Sequence, residues 1–222
     1  ENEYPGCVDL FEQRLLSAGT NNRPRTIFMS SIGAFENFST RNPSQDNDAV
    51  TVTLASSRVN RIRHLVDAGG DLLAFTANTE WSVKRGNNSD AITPTSLRLQ
   101  VQSHFGAGRA TPLPIGKLVL FPESKGKTVR TLAYEFATDG YNGNDIAILS
   151  DHLFEGREII EWCYAQSPDG VVWVVMDDGL CVALTLQPEH KITGWTRMET
   201  DGVVESVCSV DEGPDDRTYW LA

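Results

Sequence analysis

The sequence has few of the features that mark membrane, metal-binding or redox proteins. Its longest apolar run is Val171 to Met176, far shorter than the roughly 18 residues that a membrane-spanning helix needs. The four cysteines (Cys7, Cys163, Cys181 and Cys208) form no Cys-x-x-Cys pair, and the four histidines are dispersed. Zinc and redox sites usually show such pairs or clusters. We therefore predict no membrane association, no cofactor and no metal site, and we expect buried free thiols.

Basic residues are also scarce. The chain has 19 Lys and Arg against 30 Asp and Glu, which gives a net charge of −11. Nucleic-acid-binding surfaces are usually basic, because lysines and arginines neutralise phosphates. The composition therefore predicts no specific nucleic-acid binding, and it predicts that isolated copies repel one another. The first residues lack the basic-then-apolar pattern of a signal peptide, and we expect the chain to be a piece of a longer protein.

What the sequence does contain is a series of short β-strands. Runs of four to eight apolar, β-branched and aromatic residues recur between Gly, Pro, Asn and Asp, a pattern typical of antiparallel sheets. Two Asp-Gly pairs, Asp178-Gly179 and Asp201-Gly202, predict tight hairpin turns, because glycine allows the positive φ that such turns require.

Only one segment has a helical pattern. Asn144-Asp145 is a candidate N-cap for a short helix over residues 145–155. Ile146, Leu149 and Leu153 would then lie on one apolar side of this helix. The sequence therefore predicts one helical insertion within an otherwise β-rich chain.

One kind of strand recurs along the chain at spacings of 57, 46, 54 and 47 residues. Its copies contain Leu15-Leu16, Leu72-Leu73, Leu118-Val119, Val172-Trp173 and Tyr219-Trp220. A repeat of about 40–50 residues with several strands each is typical of propeller blades. We therefore predict an all-β, β-propeller-like array of about four to five blades of antiparallel strands with one short helix insertion, and a β-sandwich as the alternative.

The repeat also predicts the organisation of the chain. We expect a single β-propeller-like domain over residues 1–222. Its approximate blades are 1–58, 59–106, 107–158, 159–202 and an incomplete blade, 203–222. Burial between blades suits large indole rings. We therefore expect four tryptophans to be largely buried: Trp81, Trp173, Trp195 and Trp220.

Two polar segments, Ser31–Asp48 and Arg85–Thr95, are predicted to be long loops. Loops that project from a rigid scaffold often bind partners. The candidate partner-binding loop residues are Asn37, Asp46, Asp48, Asn87 and Asn88.

Two carboxylates are the main candidates for chemistry. Glu161 and Glu205 occupy equivalent positions in the first strands of two successive repeats. The first strand of a propeller blade lines the central channel, so both are candidate channel-facing acidic residues. Glycosidases use facing carboxylates, and a carbohydrate-binding or carbohydrate-active propeller therefore stays as an alternative. No third polar group or aromatic sugar platform can be assigned beside them. We therefore predict a protein that is not an enzyme and has no catalytic residues.

Several segments of the chain resemble a known family. The opening, Tyr4–Thr20, contains Glu12-Gln13-Arg14-Leu15, where the family motif is Gln-Gln-Arg-Leu. Further matching segments include Thr26-Ile27-Phe28-Met29-Ser30, Phe35-Glu36-Asn37-Phe38, Thr53-Leu54-Ala55-Ser56, Asn60-Arg61-Ile62, Ile92-Thr93-Pro94-Thr95-Ser96, Asp139-Gly140-Tyr141 and Val204-Glu205-Ser206-Val207. The chain is thereby similar, over nearly its whole length, to the tail nozzle proteins of short-tailed bacteriophages and prophages, which are related to packaged-DNA stabilisation proteins.

The resemblance implies a virion structural protein of the phage tail that assembles in the cytoplasm of the bacterial host. It implies a propeller-bearing subunit that forms a ring beneath the portal and adaptor and lines or supports the DNA exit channel. The implied partners are other phage tail and portal-adaptor proteins, and further copies of itself in the ring when full length. We expect this piece alone to be monomeric. A glycan-recognising tail module is the alternative.

Overall fold

A computed structural model of the chain describes residues 3–55, 60–86, 91–125, 128–190 and 192–222. These residues form four four-stranded antiparallel sheets and one two-stranded sheet. In each sheet every strand pairs with its neighbour in the chain. This meander is the strand order of a propeller blade. The predicted all-β, propeller-like fold class with four to five blades is therefore confirmed.

The five sheets follow one another along the sequence. Sheet 1 contains β1 (Cys7–Phe11), β2 (Arg14–Ala18), β3 (Thr26–Met29) and β4 (Val50–Thr53). Sheet 2 contains β5 (Ile62–Asp67), β6 (Leu72–Thr76), β7 (Glu80–Arg85) and β8 (Leu97–Ser103). Sheet 3 contains β9 (Leu113–Ile115), β10 (Leu118–Pro122), β11 (Val129–Glu135) and β12 (Gly140–Asp145). Sheet 4 contains β13 (Ile159–Ala165), β14 (Val171–Met176), β15 (Cys181–Gln187) and β16 (Ile192–Met198). Sheet 5 contains β17 (Ser206–Asp211) and β18 (Asp216–Leu221).

The recurring strand of the sequence is the second strand of every sheet, namely β2, β6, β10, β14 and β18. Two of the sheets also share an irregularity in the pairing of their first two strands. In sheet 2 the register between the first two strands shifts between Ile62 and His64, and in sheet 4 it shifts between Ile159 and Glu161. A bulge of this kind adds one residue to a strand and turns the strand locally. The internal repeat is thus a repeat of strand pairing.

The chain divides into two compact units. The first consists of Glu1–Ala107 with Tyr134–Asn142, and it contains sheets 1 and 2. The apolar sides of these two sheets form one core. The fully buried side chains of this core include Leu16, Ile27, Met29, Ile62 and Leu72. Burial of each such side chain contributes about 1.5–3 kcal/mol.

A lysine anchors Tyr134–Asn142 within the first unit. The Lys84 Nζ atom lies 4.7 Å from the centre of the Tyr134 ring and 3.5 Å from a carboxylate oxygen of Asp71. The Tyr141 hydroxyl donates to the same Asp71 carboxylate over 3.1 Å. A cation enclosed by aromatic rings and carboxylates is held more firmly than an exposed ion pair. This cluster therefore holds the distal end of the β11–β12 hairpin against β7.

The second unit consists of Gly108–Ala133 and Gly143–Ala222. Its main core combines side chains of sheets 3 and 4 with Phe154. The Trp162 indole is 6% exposed and donates through Nε1 to the Thr111 carbonyl over 2.6 Å. A smaller cluster of Val175, Cys181, Val204 and Val207 lies where sheet 4 meets the start of sheet 5. The two clusters hold the second unit together.

The helical insertion is present, but its orientation corrects the sequence-based prediction. It consists of two short 3₁₀ turns within Ile148–Leu153, separated at Ser150, whose φ of −128° and ψ of 23° are not helical. The predicted cap, Asn144-Asp145, lies in β12. Leu153 is buried, whereas Leu149 is 94% exposed. Because the helical conformation is interrupted at Ser150, Leu149 and Leu153 belong to different turns and do not share a helical face. The predicted apolar side therefore does not exist.

One of the two predicted hairpin turns is wrong. The Asp178-Gly179 turn joins β14 to β15, and Gly179 has a φ of +80°. Asp201-Gly202, by contrast, lies between β16 and β17, which belong to different sheets. The Asp-Gly pair alone could not distinguish a hairpin from a connection between sheets.

The four tryptophans are less uniformly buried than predicted. Trp81 is 6% exposed, as expected, while Trp173 and Trp195 are half-buried. Trp220 is 40% exposed, although its ring packs edge-on against Trp173 with centroids 4.7 Å apart. Trp220 lies on β18, in a sheet of two strands, so less of its surface is covered.

Within the part of the chain that the structure describes, no helix has the length and apolar character needed to cross a membrane.

Candidate functional site

Two long loops of the first unit are held by one buried arginine. The loops comprise residues 30–49, between β3 and β4, and, among the described residues between β7 and β8, residues 91–96. We call their described parts, residues 30–49 and 91–96, the two-loop surface. Arg14 begins β2, directly after a turn in which Glu12 and Gln13 adopt φ values of 45° and 58°. This turn aims the Arg14 side chain, which is 1% exposed, at both loops.

The Arg14 guanidinium donates four hydrogen bonds to backbone carbonyls of the two loops. Nη1 contacts the carbonyl oxygens of Ser30 at 2.6 Å and Asp48 at 2.7 Å. Nη2 contacts those of Asp46 at 3.1 Å and Ile92 at 3.2 Å. Burial lowers the pKa of Arg14, while Glu12 and Asp48 oppose this shift. An arginine keeps its charge under these conditions, so one buried cation fixes the backbone of both loops.

Glu12 completes this arrangement from the turn itself. Its Oε1 atom accepts a hydrogen bond from the Arg85 guanidinium, and its Oε2 atom accepts the Ile92 N–H over 2.9 Å. Glu12 and Arg14 therefore bind the same short segment of the second loop, one through its N–H and the other through its C=O. The β1–β2 turn is the structural centre of the two-loop surface.

The candidate partner-binding loop residues differ in how far their side chains are exposed at the surface. Asn37 and Asp46 are exposed on the first loop. Asp48 is 2% exposed, and its carboxylate accepts hydrogen bonds from the Arg41 Nε atom and from the N–H groups of Arg41 and Gln45. The Gln45 N–H, followed by Arg41, lowers the pKa of Asp48. Asp48 thus shapes the loop from inside and is not available at the surface. Asn87 and Asn88 lie outside the described residues.

The first loop also exposes two aromatic side chains. Phe35 is 47% exposed and Phe38 is 44% exposed, although both are large and apolar. Exposed aromatic rings on a fixed backbone are typical of protein-binding surfaces, where aromatic residues are enriched. The arginine-fixed first loop therefore combines exposed aromatic and polar groups.

The two candidate channel-facing carboxylates lie in different surroundings. Glu161, on β13, is half-buried, and its Oε2 atom accepts the Ser206 hydroxyl over 2.6 Å and the Val207 N–H over 3.2 Å. Glu205 is exposed and precedes β17. The Glu161 carboxylate therefore joins sheet 4 to sheet 5. We assign this carboxylate a structural role as a hydrogen-bond acceptor between the two sheets.

We expect the variants of Glu161 to separate this structural role from catalysis. Gln keeps a carbonyl oxygen that can accept both bonds, so Glu161→Gln should change the free energy of unfolding by less than about 1 kcal/mol. Glu161→Ala removes the acceptor and should cost about 1–2 kcal/mol. Denaturant unfolding measures both. If a polysaccharide is hydrolysed and Glu161→Gln abolishes that turnover, Glu161 is catalytic and this assignment is wrong.

Another carboxylate, that of Glu80, is fully buried in the first unit. Glu80 begins β7, and its Oε2 atom accepts the Ser103 hydroxyl and, over 3.3 Å, the Phe105 N–H. Burial raises the pKa of Glu80 above its ordinary value, and these hydrogen bonds only partly oppose the shift. Glu80 thus anchors the segment after β8 at the cost of burying an ionisable group.

This shift predicts a dependence of stability on pH. The folded chain holds the Glu80 proton more tightly than the unfolded chain, so folding favours the protonated form. The contribution of protonated Glu80 to the stability of the fold is fully present below the ordinary glutamate pKa. It is lost as the pH rises through the raised pKa of Glu80 in the folded state. The free energy of unfolding of the natural chain should therefore fall, relative to that of Glu80→Gln, as the pH rises above the ordinary glutamate pKa. Parallel pH profiles of the two proteins would contradict this prediction.

Among the described residues, no three His, Cys, Asp or Glu side chains are grouped to hold a metal ion. The roles of Arg14, Glu12 and Glu80 were not predicted from the sequence. A signal was present for Arg14, since a charged residue opens the otherwise apolar strand Arg14-Leu15-Leu16. Its partners are backbone carbonyls up to 78 residues away, which no spacing pattern encodes.

The four-stranded meanders define an all-β, propeller-like protein. The family model described as "Bacteriophage nozzle protein" matches residues 24–153, which is more than half of the chain. The chain therefore belongs to the bacteriophage nozzle protein family. It is a phage tail structural protein, and its place is the virion tail, as the sequence resemblance predicted.

Comparison with curated proteins yields no match. Among solved structures, one similar chain belongs to the Nup82 NTD–Nup159 TAIL–Nup145N APD complex of Chaetomium thermophilum, with a TM-score of 0.54 and 14% identity. That match covers 85% of this chain and 43% of the solved chain, so the similarity spans less than half of the latter. The Malassezia sympodialis allergen Mala s 1 is matched with a TM-score of 0.42 and 9% identity, over 98% of this chain and 86% of the allergen. The first similarity concerns the fold alone.

Proposed function

We propose that this chain is a module of the tail nozzle of a short-tailed phage and that it lines or supports the channel through which DNA leaves the virion. Family membership over residues 24–153 is the observation that carries the proposal. The net charge of −11 also supports it, because an acidic wall does not retain phosphates as a basic one does. In this role the protein has no catalytic function.

Within this role, Glu161 and Glu205 are proposed to belong to the channel wall. Glu205 is the more informative of the two, because its side chain is exposed while that of Glu161 is engaged with sheet 5. A positive charge in the channel would attract the passing phosphates, and this attraction would weaken with added salt. The charge at Glu205 should therefore affect the rate of DNA release.

The test compares two charge reversals in intact virions. Glu205→Lys should slow DNA ejection severalfold at low salt, and the slowing should diminish as salt is added. Glu199→Lys makes the same charge change at a side chain that is 82% exposed, and it serves as the matched control. Ejection is followed by the fluorescence of a DNA-binding dye outside the particle. Equal ejection rates for the two variants would show that Glu205 is not part of the channel wall.

We further propose that the first loop of the two-loop surface binds other tail or portal-adaptor proteins. Phe35 and Phe38 supply exposed apolar area, and Asn37 and Asp46 supply polar groups beside it. Arg14 fixes the backbone in advance, so that little conformational entropy is lost on binding. The isolated chain is proposed to be monomeric, with ring formation belonging to the full-length protein.

The binding proposal is tested with the purified portal-adaptor complex of the same phage. The double variant Phe35→Ser and Phe38→Ser should lower the affinity of the chain for this complex at least tenfold, as measured by interferometry. Leu149→Ser replaces a 94% exposed apolar side chain elsewhere and should leave the affinity unchanged. Equal affinities of the natural chain and the double variant would exclude the first loop as the binding surface.

A further inference from the structure

Sheets 4 and 5 bring two cysteines of distant sequence positions to adjacent strands. Cys163 lies in the middle of β13, and Cys208 lies in the middle of β17. These are the first strands of the two sheets, and they pack side by side within the second unit. All four cysteines are free thiols in the structure. Cys208 is exposed, which corrects the expectation that all four thiols are buried.

Contacts at both ends of the strands show that β13 and β17 run in the same direction. Near the start of β17, the Val204 N–H donates to the Gly179 carbonyl over 3.0 Å, in the turn that follows β14 and therefore lies beside the start of β13. Near the end of β13, the Gln166 N–H donates to the carboxylate of Asp216, and Asp216 pairs with Asp211 at the end of β17. The strands therefore align start to start and end to end.

The same contacts set the register between the two strands. The Ser206 hydroxyl donates to the Glu161 carboxylate over 2.6 Å, so these two side chains face each other. Cys163 and Cys208 each lie two residues further along their strands. Side chains two residues apart point to the same side of a strand, and the strands are parallel. The two thiols therefore lie on the sides of β13 and β17 that carry Glu161 and Ser206, two residues further along each strand.

The electrostatic surroundings of Cys163 agree with this placement. The pKa of Cys163 is raised to about 12, chiefly by burial and then by neighbouring groups, of which Cys208 comes before Glu161 and Cys181. Cys163 is half-buried while Cys208 is exposed. An oxidant from solution therefore reaches Cys208 first, and Cys163 is the adjacent thiol that can complete a disulfide.

We propose that Cys163 and Cys208 are a disulfide-forming pair that links sheet 4 to sheet 5 under oxidising conditions. The pair stays reduced in the bacterial cytoplasm and meets an oxidising environment in the released virion, where disulfides persist. The inference does not depend on the proposed channel role. It requires only that the chain is part of the virion tail.

Glutathione disulfide supplies the oxidant in two balanced exchanges. The Cys208 sulfur attacks one glutathione sulfur, so that a mixed disulfide forms, the glutathione disulfide bond breaks, and one glutathione leaves with the Cys208 proton. The Cys163 sulfur then attacks the Cys208 sulfur and expels the second glutathione, which takes the Cys163 proton. Two protein thiols are oxidised, and one glutathione disulfide is reduced to two thiols.

The experiment treats the folded chain with glutathione disulfide and maps the products by mass spectrometry without reduction. We expect the free thiols to fall from four to two and one cross-linked peptide pair to contain Cys163 and Cys208. The thermal midpoint of the oxidised chain should rise by roughly 5–10 °C, because the link closes a long loop. Cys208→Ser should abolish the cross-link, and Cys7→Ser, at a half-buried thiol of the first unit, should leave it intact.

Either of two products of the folded chain would overturn the proposal. One is glutathione that remains attached to Cys208 while Cys163 stays reduced. The other is a disulfide that joins either residue to Cys7 or Cys181. Oxidation in denaturant supplies the reference, since an unfolded chain should give a mixture of pairings in which the Cys163–Cys208 bond is not selected. A folded chain that gave the same mixture would also contradict the proposal.

Discussion

Replacing Arg14 with methionine is expected to lower the free energy of unfolding by roughly 3–5 kcal/mol. The substitution keeps much of the apolar stem but removes the donors for four carbonyls, those of Ser30, Asp46, Asp48 and Ile92. Buried carbonyls without donors are costly, and Glu12 loses the nearby positive charge. Denaturant unfolding of the whole chain measures the loss.

Arg197→Met is the matched control for this prediction. Arg197 is 60% exposed and lies 3.9 Å from the Glu199 carboxylate, and an exposed ion pair of this kind contributes about 0–1 kcal/mol. Arg14→Met should also weaken the proposed binding by the first loop, because the loop backbone is no longer fixed. If Arg14→Met and Arg197→Met have equal effects on stability, Arg14 does not organise the loops.

Phe154→Ala is expected to cost about 3–5 kcal/mol, which is the usual range for a buried phenylalanine. The Phe154 side chain is 1% exposed, ends the 3₁₀ helix and packs edge-on against Trp195 with ring centroids 4.9 Å apart. Its truncation leaves a cavity in the core between sheets 3 and 4. Phe154→Leu keeps most of the volume and should cost less than Phe154→Ala.

Leu149→Ala supplies the control within the same segment. The sequence pattern placed Leu149 on the apolar face of a helix, whereas the structure leaves it 94% exposed. Its truncation should therefore change the free energy of unfolding by no more than about 0.5 kcal/mol. If Leu149→Ala proved as destabilising as Phe154→Ala, the helical face predicted from the sequence would be correct and the 3₁₀ orientation wrong.

The family is recognisable from the sequence because its signals are spread over many structural positions. Segments from residue 24 to residue 153 carry the family match, and the segments singled out in the sequence analysis lie largely in this range. The fold class follows from a different signal, the return of one apolar strand every 46 to 57 residues. Neither signal identifies individual site residues, since both concern strands and turns.

The local elements of the fold can be predicted from the sequence alone. Runs of apolar, β-branched and aromatic residues between turn residues predict short antiparallel strands, and the described residues form five sheets of such strands. Local periodicity is sufficient here because strand formation depends on neighbours within a few residues. The equivalence of the second strands in all five sheets follows from the same pattern.

The packing of sheets and loops against one another determines which polar side chains are exposed and which are hydrogen-bonded inside the protein. The Asp48 carboxylate is hydrogen-bonded inside its own loop, and the Glu161 carboxylate accepts a hydrogen bond from Ser206 at the start of sheet 5. Arg14 donates to the Ile92 carbonyl, 78 residues away in the sequence. Each of these depends on how one sheet or loop packs against another, and a hydrogen bond between distant segments leaves no periodic trace in the sequence. The approach of Cys163 to Cys208 is of the same kind, because the register between β13 and β17 is set by contacts across sheets.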